Sequence, residues 1–223
     1  MDLRLLRLGN LKEYVLSTEA VLAGHEVTPR QGEVLDAALA LLVSVGDKLT
    51  MTAVARKASC SKETLYKWFG DRDGLLIATV QWQAAKVRVP VLDRAHLDRA
   101  SLMQSLERFA RDLLTVLTSD NSVALNRVAI SRAGSAQSDL GAIVLENGRR
   151  EMGRRLKPVL EAGRDVALLK FSDSEEAFRT FFGLVVRDVQ IRRLLGDGFY
   201  VPPEQLDANA KEATRQFFTL FGV

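Results

Sequence analysis

Residues 50–69 read Thr50-Met51-Thr52-Ala53-Val54-Ala55-Arg56-Lys57-Ala58-Ser59-Cys60-Ser61-Lys62-Glu63-Thr64-Leu65-Tyr66-Lys67-Trp68-Phe69. Val54, Ala55 and Ala58 form one apolar face, and Leu65, Trp68 and Phe69 form a second. Thr50 and Ser61 stand where helix N-caps belong, because their hydroxyls can accept the free N–H groups of a first turn. The spacing predicts two helices of about two turns joined by a three- or four-residue turn, which is helix-turn-helix geometry. Helices this short are marginal in water, so packing must hold them. Ala55 and Ala58 are small enough to permit a close crossing.

The direction of each side chain follows from 100° per residue. With Leu65 inward, Trp68 and Phe69 fall within about 60° of it. Glu63, Thr64, Tyr66 and Lys67 then face outward, with Lys62 at the helix start. These groups can bond to base edges and phosphates, and a capped helix start offers N–H groups to an anion. Glu63 and Lys67 are also spaced as an ordinary i,i+4 surface ion pair.

Outward from this hairpin the chain reads as helix after helix. Thr28-Pro29-Arg30-Gln31 is a capping box with proline at the first helical position. Val34, Leu35, Ala38, Leu41, Leu42 and Val45 recur at helical spacing up to Gly46. A longer helix follows Asp73 and ends before Val89-Pro90. Further helices are predicted near 101–118, 121–133, 138–160, 173–195 and 203–221. Pro158 kinks or ends the third of these, Ser172-Asp173 caps the fourth and Pro202-Pro203 opens the fifth. The expected fold is all-α. Residues 1–29 are an N-terminal extension, 30–86 a three-helix helix-turn-helix domain with a linking helix, and 87–223 a larger helical domain.

Charge is unevenly spread. The chain of 223 residues carries a net +3 and has a pI near 9.1. Residues 48–72 hold six basic side chains and two acidic ones, a local excess larger than that of the whole chain and the footprint of a phosphate-binding surface. Residues 1–29 hold three basic and four acidic groups. Leu11, Tyr14, Val15, Leu16, Val21 and Leu22 there suggest a short amphipathic helix that packs on protein rather than grasping DNA.

Several classes are excluded by residue supply. One cysteine, Cys60, and two histidines, His25 and His96, leave no disulfide framework and little for a metal site. The longest uncharged run, Gly74 to Ala85, has twelve residues, against the roughly 18 of a membrane span. Asp2, Arg4 and Arg7 interrupt any signal-peptide core. No G-x-S-x-G, G-x-G-x-x-G or Walker loop occurs. The expectation is a cytoplasmic protein with no catalytic residues, no metal, no cofactor and no membrane partner.

Val54-Ala55, the turn ending in Ser61, Thr64-Leu65-Tyr66-x-x-Phe69 and Arg72-x-x-Leu75 resemble the DNA-binding domain of TetR/AcrR-type transcriptional regulators. The resemblance spans roughly residues 30–86. It implies phosphate contacts from Thr50, Ser61, Tyr66 and Arg72, and a major-groove face of Lys62, Glu63, Thr64 and Lys67. Thr52, one position into the first short helix, joins this DNA-contacting set. Ser59 stands where the family commonly has a turn glycine, Cys60 where a small aliphatic is usual, and Arg72 where lysine is common. The resemblance also implies a homodimer on a double-stranded, inverted-repeat operator, released by a small-molecule effector.

In the larger unit, Leu206, Ala210, Ala213, Phe217 and Leu220 step by 4, 3, 4 and 3, a seam suited to helix-on-helix packing. Phe178, Phe182, Val185 and Val189 make a similar stripe, with Phe181, Leu184 and Val186 off it. A helix apolar over most of its circumference is buried on two sides, so these two helices are expected to build a four-helix dimer interface. Ligand sites form between helices of bundles, apolar with a few polar groups. Asn126, Arg127 and Gln190 are candidates for the polar groups, and Trp82 and Phe109 for aromatic walls. These surroundings suit a small apolar effector better than a nucleotide or sugar phosphate. The competing reading is a helical small-molecule or protein-binding module whose basic hairpin is incidental.

Overall fold

The capping signals select the helix starts. The computed structural model describes residues 27–45, 48–89, 92–133 and 140–223; the expectations for residues 1–26, for Gly46 and for Pro90 lie outside them. Helix α1 (Pro29–Val45) begins at the box, with the Thr28 N–H donating to Gln31 at 2.9 Å and the Gln31 N–H to the Thr28 hydroxyl at 3.3 Å. Helix α2 (Met51–Lys57) follows Thr50, whose hydroxyl accepts from the Ala53 N–H. Helix α3 (Lys62–Phe69) is capped by Ser61 in the same way, through the Thr64 N–H. Helix α4 (Arg72–Ala85) starts on the Asp71 carboxylate.

The second part holds α5 (Arg99–Thr118), α6 (Asp120–Arg132), α7 (Leu140–Val144), a π-helical turn Leu145–Arg150 and α8 (Glu151–Asp165). Helices α9 (Ser174–Val186), α10 (Val189–Leu194) and α11 (Pro203–Phe221) complete it. Among the described residues every regular element is helical, with one isolated antiparallel bridge between Leu169 and Gly222. Among the described residues no helix is long and apolar enough to cross a membrane.

Two expected helices are built differently. The 173–195 segment breaks at Arg187, which takes a left-handed backbone with φ of 44°. No glycine or proline marks this point, so the sequence carries no local signal for it. The 138–160 segment contains the π turn, and its helix does not end at Pro158 but continues to Asp165.

Two apolar clusters form the core. One joins α1 to α4 and reaches into the larger part, taking Leu125 and Ala129 from α6 and Leu140 and Ile143 from α7. The hairpin unit therefore shares its core with the region beyond residue 86. The other cluster gathers α5, α8, α9 and α11 around Phe109, Phe178, Phe181 and Phe217, all fully buried. Phe181 and Phe217 meet edge-on, with ring centroids 5.2 Å apart.

This second cluster corrects the proposed dimer seam. Leu206, Ala210, Ala213 and Phe217, with Phe178 and Val185, are buried within this chain. Their stripe is the inward face of α11 and α9; α11 packs mainly on α5, and α9 on α11 and α8. Phe182 and Val189 are partly buried. The narrow periodicity is real, but it records packing inside one chain, because α5 supplies the partner surface.

Gly74 sets how closely α3 and α4 approach. A Cβ built there would land on the Phe69 carbonyl oxygen, a backbone atom that cannot swing away. Gly74→Ala should lower stability by about 1–3 kcal/mol, the usual cost of overpacking. The check is a urea melt, in which an unchanged midpoint would contradict this account of the α3–α4 junction.

Candidate DNA-binding hairpin and ligand cavity

The α2–α3 hairpin presents one polar face. Lys62, Glu63, Tyr66 and Lys67 are exposed, Thr64 is half-buried, and Leu65 is fully buried beneath them. Trp68 packs edge-on against Phe69 at 6.1 Å. Thr50, Thr52 and Ser61 are also exposed. The Ser61 hydroxyl lies 3.1 Å from the Thr64 hydroxyl. The Glu63 carboxyl is held below the usual carboxylate range, by its own backbone N–H first and the Ser61 hydroxyl second, with Lys62 adding a favourable charge. This cationic face thus carries one fixed negative group.

Arg72 is placed for a structural task. Its Nε donates to the Leu49 carbonyl at 3.0 Å, and its guanidinium meets Asp73 at 3.3 Å. It ties the start of α4 to the loop before α2, so a phosphate contact would have to share it. Arg30 was not singled out in the sequence, yet its Nη2 donates to the carbonyls of Ala58 at 2.6 Å and Ser59 at 3.1 Å. It closes the C-terminal end of α2, where free carbonyls favour a cation. No short-range pattern could have linked residues 28 positions apart.

A cavity of about 560 Å³ lies in the larger part, within the size range of small-molecule sites. Val80, Gln83 and Ala84 of α4 form one wall, and Leu113, Val116 and Leu117 of α5 another. The remaining walls come from α6, α7, the π turn, Met152 and Phe182. Asn126 and Gln190 line it. The other three candidates lie elsewhere. Phe109 is fully buried in the core. Trp82 lines a separate hollow against α1 and donates its indole N–H to Asp36 at 2.9 Å. Arg127 faces outward and donates to the carbonyls of Arg193 at 2.7 Å and Leu194 at 3.0 Å, closing the end of α10.

Sequence reasoning missed Gln83, Ser122 and Arg149, which also line the cavity. Arg149 stands in a run of arginines that looks like a solvated face. The guanidinium of Arg149 instead stacks over Phe178 at 4.3 Å and Phe182 at 4.4 Å. Burial lowers its pKa, with the Glu175 charge opposing that shift and Arg179 adding to it.

Comparisons with known proteins find two family matches along the chain. Residues 34–79 match the family described as bacterial regulatory proteins, tetR family. Residues 104–223 match the C-terminal domain of AefR-like transcriptional repressors. A TetR transcriptional regulator from Agrobacterium tumefaciens is 48% identical, with a TM-score of 0.73 over 88% of this chain and 96% of its own. The flavonoid-responsive regulator FrrA is 26% identical, with a TM-score of 0.63 over 86% of this chain and 97% of its own. A TetR-family regulator from Mesorhizobium loti is 24% identical, with a TM-score of 0.70 over 89% of this chain and 100% of its own, and shares the fold. No curated protein matches the chain.

Ser59 in the hairpin turn has a left-handed backbone, with φ of 49°. A side chain there costs roughly 1–2 kcal/mol, and glycine removes that cost while adding unfolded-state entropy. Ser59→Gly should therefore raise the melting temperature slightly and leave the exposed α3 face unchanged. A lower melting temperature would show that the Ser59 side chain contributes packing instead.

Proposed function

Because the chain belongs to the TetR family of transcriptional regulators, we propose that it is a cytoplasmic repressor that binds an inverted-repeat operator as a homodimer and leaves it on binding a small, mainly apolar effector. The observation that carries the DNA-binding part is the capped α3, with Lys62, Glu63, Tyr66 and Lys67 exposed on one side and Leu65 buried on the other. Such a helix fits the major groove, where Lys67 can meet guanine or phosphate and Glu63 can accept from a cytosine amine. Thr50, Thr52, Ser61, Thr64 and Arg72 are the supporting contacts. Ser61 and the first turn of α3 offer N–H groups to the backbone.

The dimer surface is the outer side of α9 and α11. Gly183 there is exposed, and a Cβ built on it meets nothing within 4 Å. Leu184 is half-buried beside it, and Leu220 on α11 is 61% exposed. Arg187 reaches Gln216 at 3.4 Å across the two helices. The Glu212 carboxyl is held down at about 2 by Arg215 first and Gln216 second, so this face stays charged at neutral pH.

The cavity is the effector site. Its α4 wall joins it to the hairpin, and a relative responsive to flavonoids favours an apolar ligand. An effector that fits best when α4 is shifted would move the hairpin out of register with the groove, lowering DNA affinity by its differential affinity for the two states.

Selection of bound sequences from random duplexes should return an inverted repeat, with affinity falling steeply as salt rises. Lys67→Ala should weaken binding by about 1–3 kcal/mol if it reads a base, or shallow the salt slope by about one if it meets phosphate. Glu63→Gln should raise affinity for random DNA by removing a negative charge from the face, while relaxing the sequence preference. Unchanged affinity in the Lys67 variant together with a Tyr66→Ala variant would remove the α3 assignment.

Light scattering at micromolar concentration should give twice the chain mass. Gly183→Arg fits the isolated chain but blocks the outer face, so it should give a folded monomer. A variant that stays dimeric would move the interface elsewhere.

A further inference from the structure

Arginines crowd the stretch after α7, and their partners differ. Arg150 pairs with Glu146 at 2.7 Å. Arg154 pairs with Glu146 at 2.6 Å and Glu151 at 2.8 Å. Arg155 donates to the carbonyls of Ala84 and Val87. The Arg149 guanidinium has no hydrogen bond or ion pair among the described residues; its central carbon sits over the rings of Phe178 and Phe182. The acid whose charge it feels, Glu175, is paired with Lys157 at 3.0 Å.

Arg149 is also the one charged residue among the described residues that line the cavity. A guanidinium carries five N–H donors in a planar fork that matches a carboxylate. The rings of Phe178 and Phe182 offer no hydrogen-bond acceptor in the plane of the fork, so its N–H donors are left for something else. A cation in a mostly apolar chamber attracts an anion more strongly than it would in water. The chamber's other polar groups, Gln83, Ser122, Asn126 and Gln190, are neutral.

Building on the effector-site reading above, we propose that the cavity takes an amphiphilic organic acid, with its anionic head on Arg149 and its apolar body along the α5 and α6 walls. A single cation matches a single charge, so a polyphosphate would leave most of its charge unpaired. The site also has a direct path to α4. Asn147, two residues before Arg149 on the same π turn, accepts from the Gln81 side chain of α4 at 3.0 Å. An acid drawn onto Arg149 therefore pulls on the turn that holds α4.

The test uses N-phenyl-1-naphthylamine, a neutral apolar fluorophore, as the reporter, displaced by dodecanoate or by dodecan-1-ol from the full-length protein. Dodecanoate should displace it about 10- to 100-fold more effectively than the alcohol, the gain expected of a charge-assisted hydrogen bond. Arg149→Met should abolish that preference while leaving the alcohol's displacement within about threefold. Arg149→Lys should restore part of it. Thermal melts of both variants separate loss of the ring stacking from loss of the anion site, since a stacking role alone would lower the melting temperature without changing the acid-to-alcohol ratio. Equal displacement by acid and alcohol in the native protein would overturn the proposal and leave the effector-site reading standing. Failure of the fluorophore to bind, or binding that survives filling the cavity by Gly148→Leu, would overturn both.

Discussion

Seven consecutive residues of α4, Gly74 to Val80, are buried, and Gln83 and Ala84 follow. An isolated surface helix buries one stripe; this one buries nearly its whole circumference. Leu75, Leu76, Ile77 and Val80 belong to the hairpin's core, and Ala84 to the core of the larger part. Full burial of each large apolar side chain contributes about 1.5–3 kcal/mol, so the helix cannot rotate or withdraw independently of either part. The hairpin takes its position from α4, and so does one wall of the cavity.

The same constraint links the cavity to the hairpin. Gly74 touches the end of α3 at one end of α4, while Val80, Gln83 and Ala84 face the cavity near the other. Arg155 holds the carbonyls at the α4 C-terminus, and the π turn holds Gln81. π turns recur at functional sites, and this one carries both a hydrogen bond to α4 and the cavity's cation. Under the proposed function, ligand and DNA would act on opposite ends of one rigid element, which is the physical requirement for coupling between two sites.

The exposed face of α3 illustrates a division of labour. Ser61 caps the helix and Leu65 and Phe69 anchor it, while Lys62, Glu63, Tyr66 and Lys67 stay exposed. Arg30 and Arg72, also basic and nearby, are committed in part to backbone carbonyls. Counting positive charge in the segment overstates the number of groups available for phosphate.

What the sequence determined by itself was local. Thr28, Thr50, Ser61 and Asp173 cap the helices where hydroxyl or carboxylate meets a free N–H, and 3.6-residue periodicity identifies which side of each helix is apolar; the helix expected after Asp73 starts two residues earlier, on Asp71. That was enough for the all-α fold, the hairpin and the outward residues of α3. The tertiary structure decided what each apolar face meets. Periodicity cannot distinguish a stripe packed on α5 of the same chain from one packed on a second copy, and Leu206, Ala210, Ala213 and Phe217 turned out to be the former. Nor can it tell Arg149 from its neighbours, because the difference lies in rings about 30 residues away. Trp82, Phe109 and Arg127 missed the cavity for the same reason. A cavity is a gap between helices, and its walls are set by how those helices cross, which no single helix encodes.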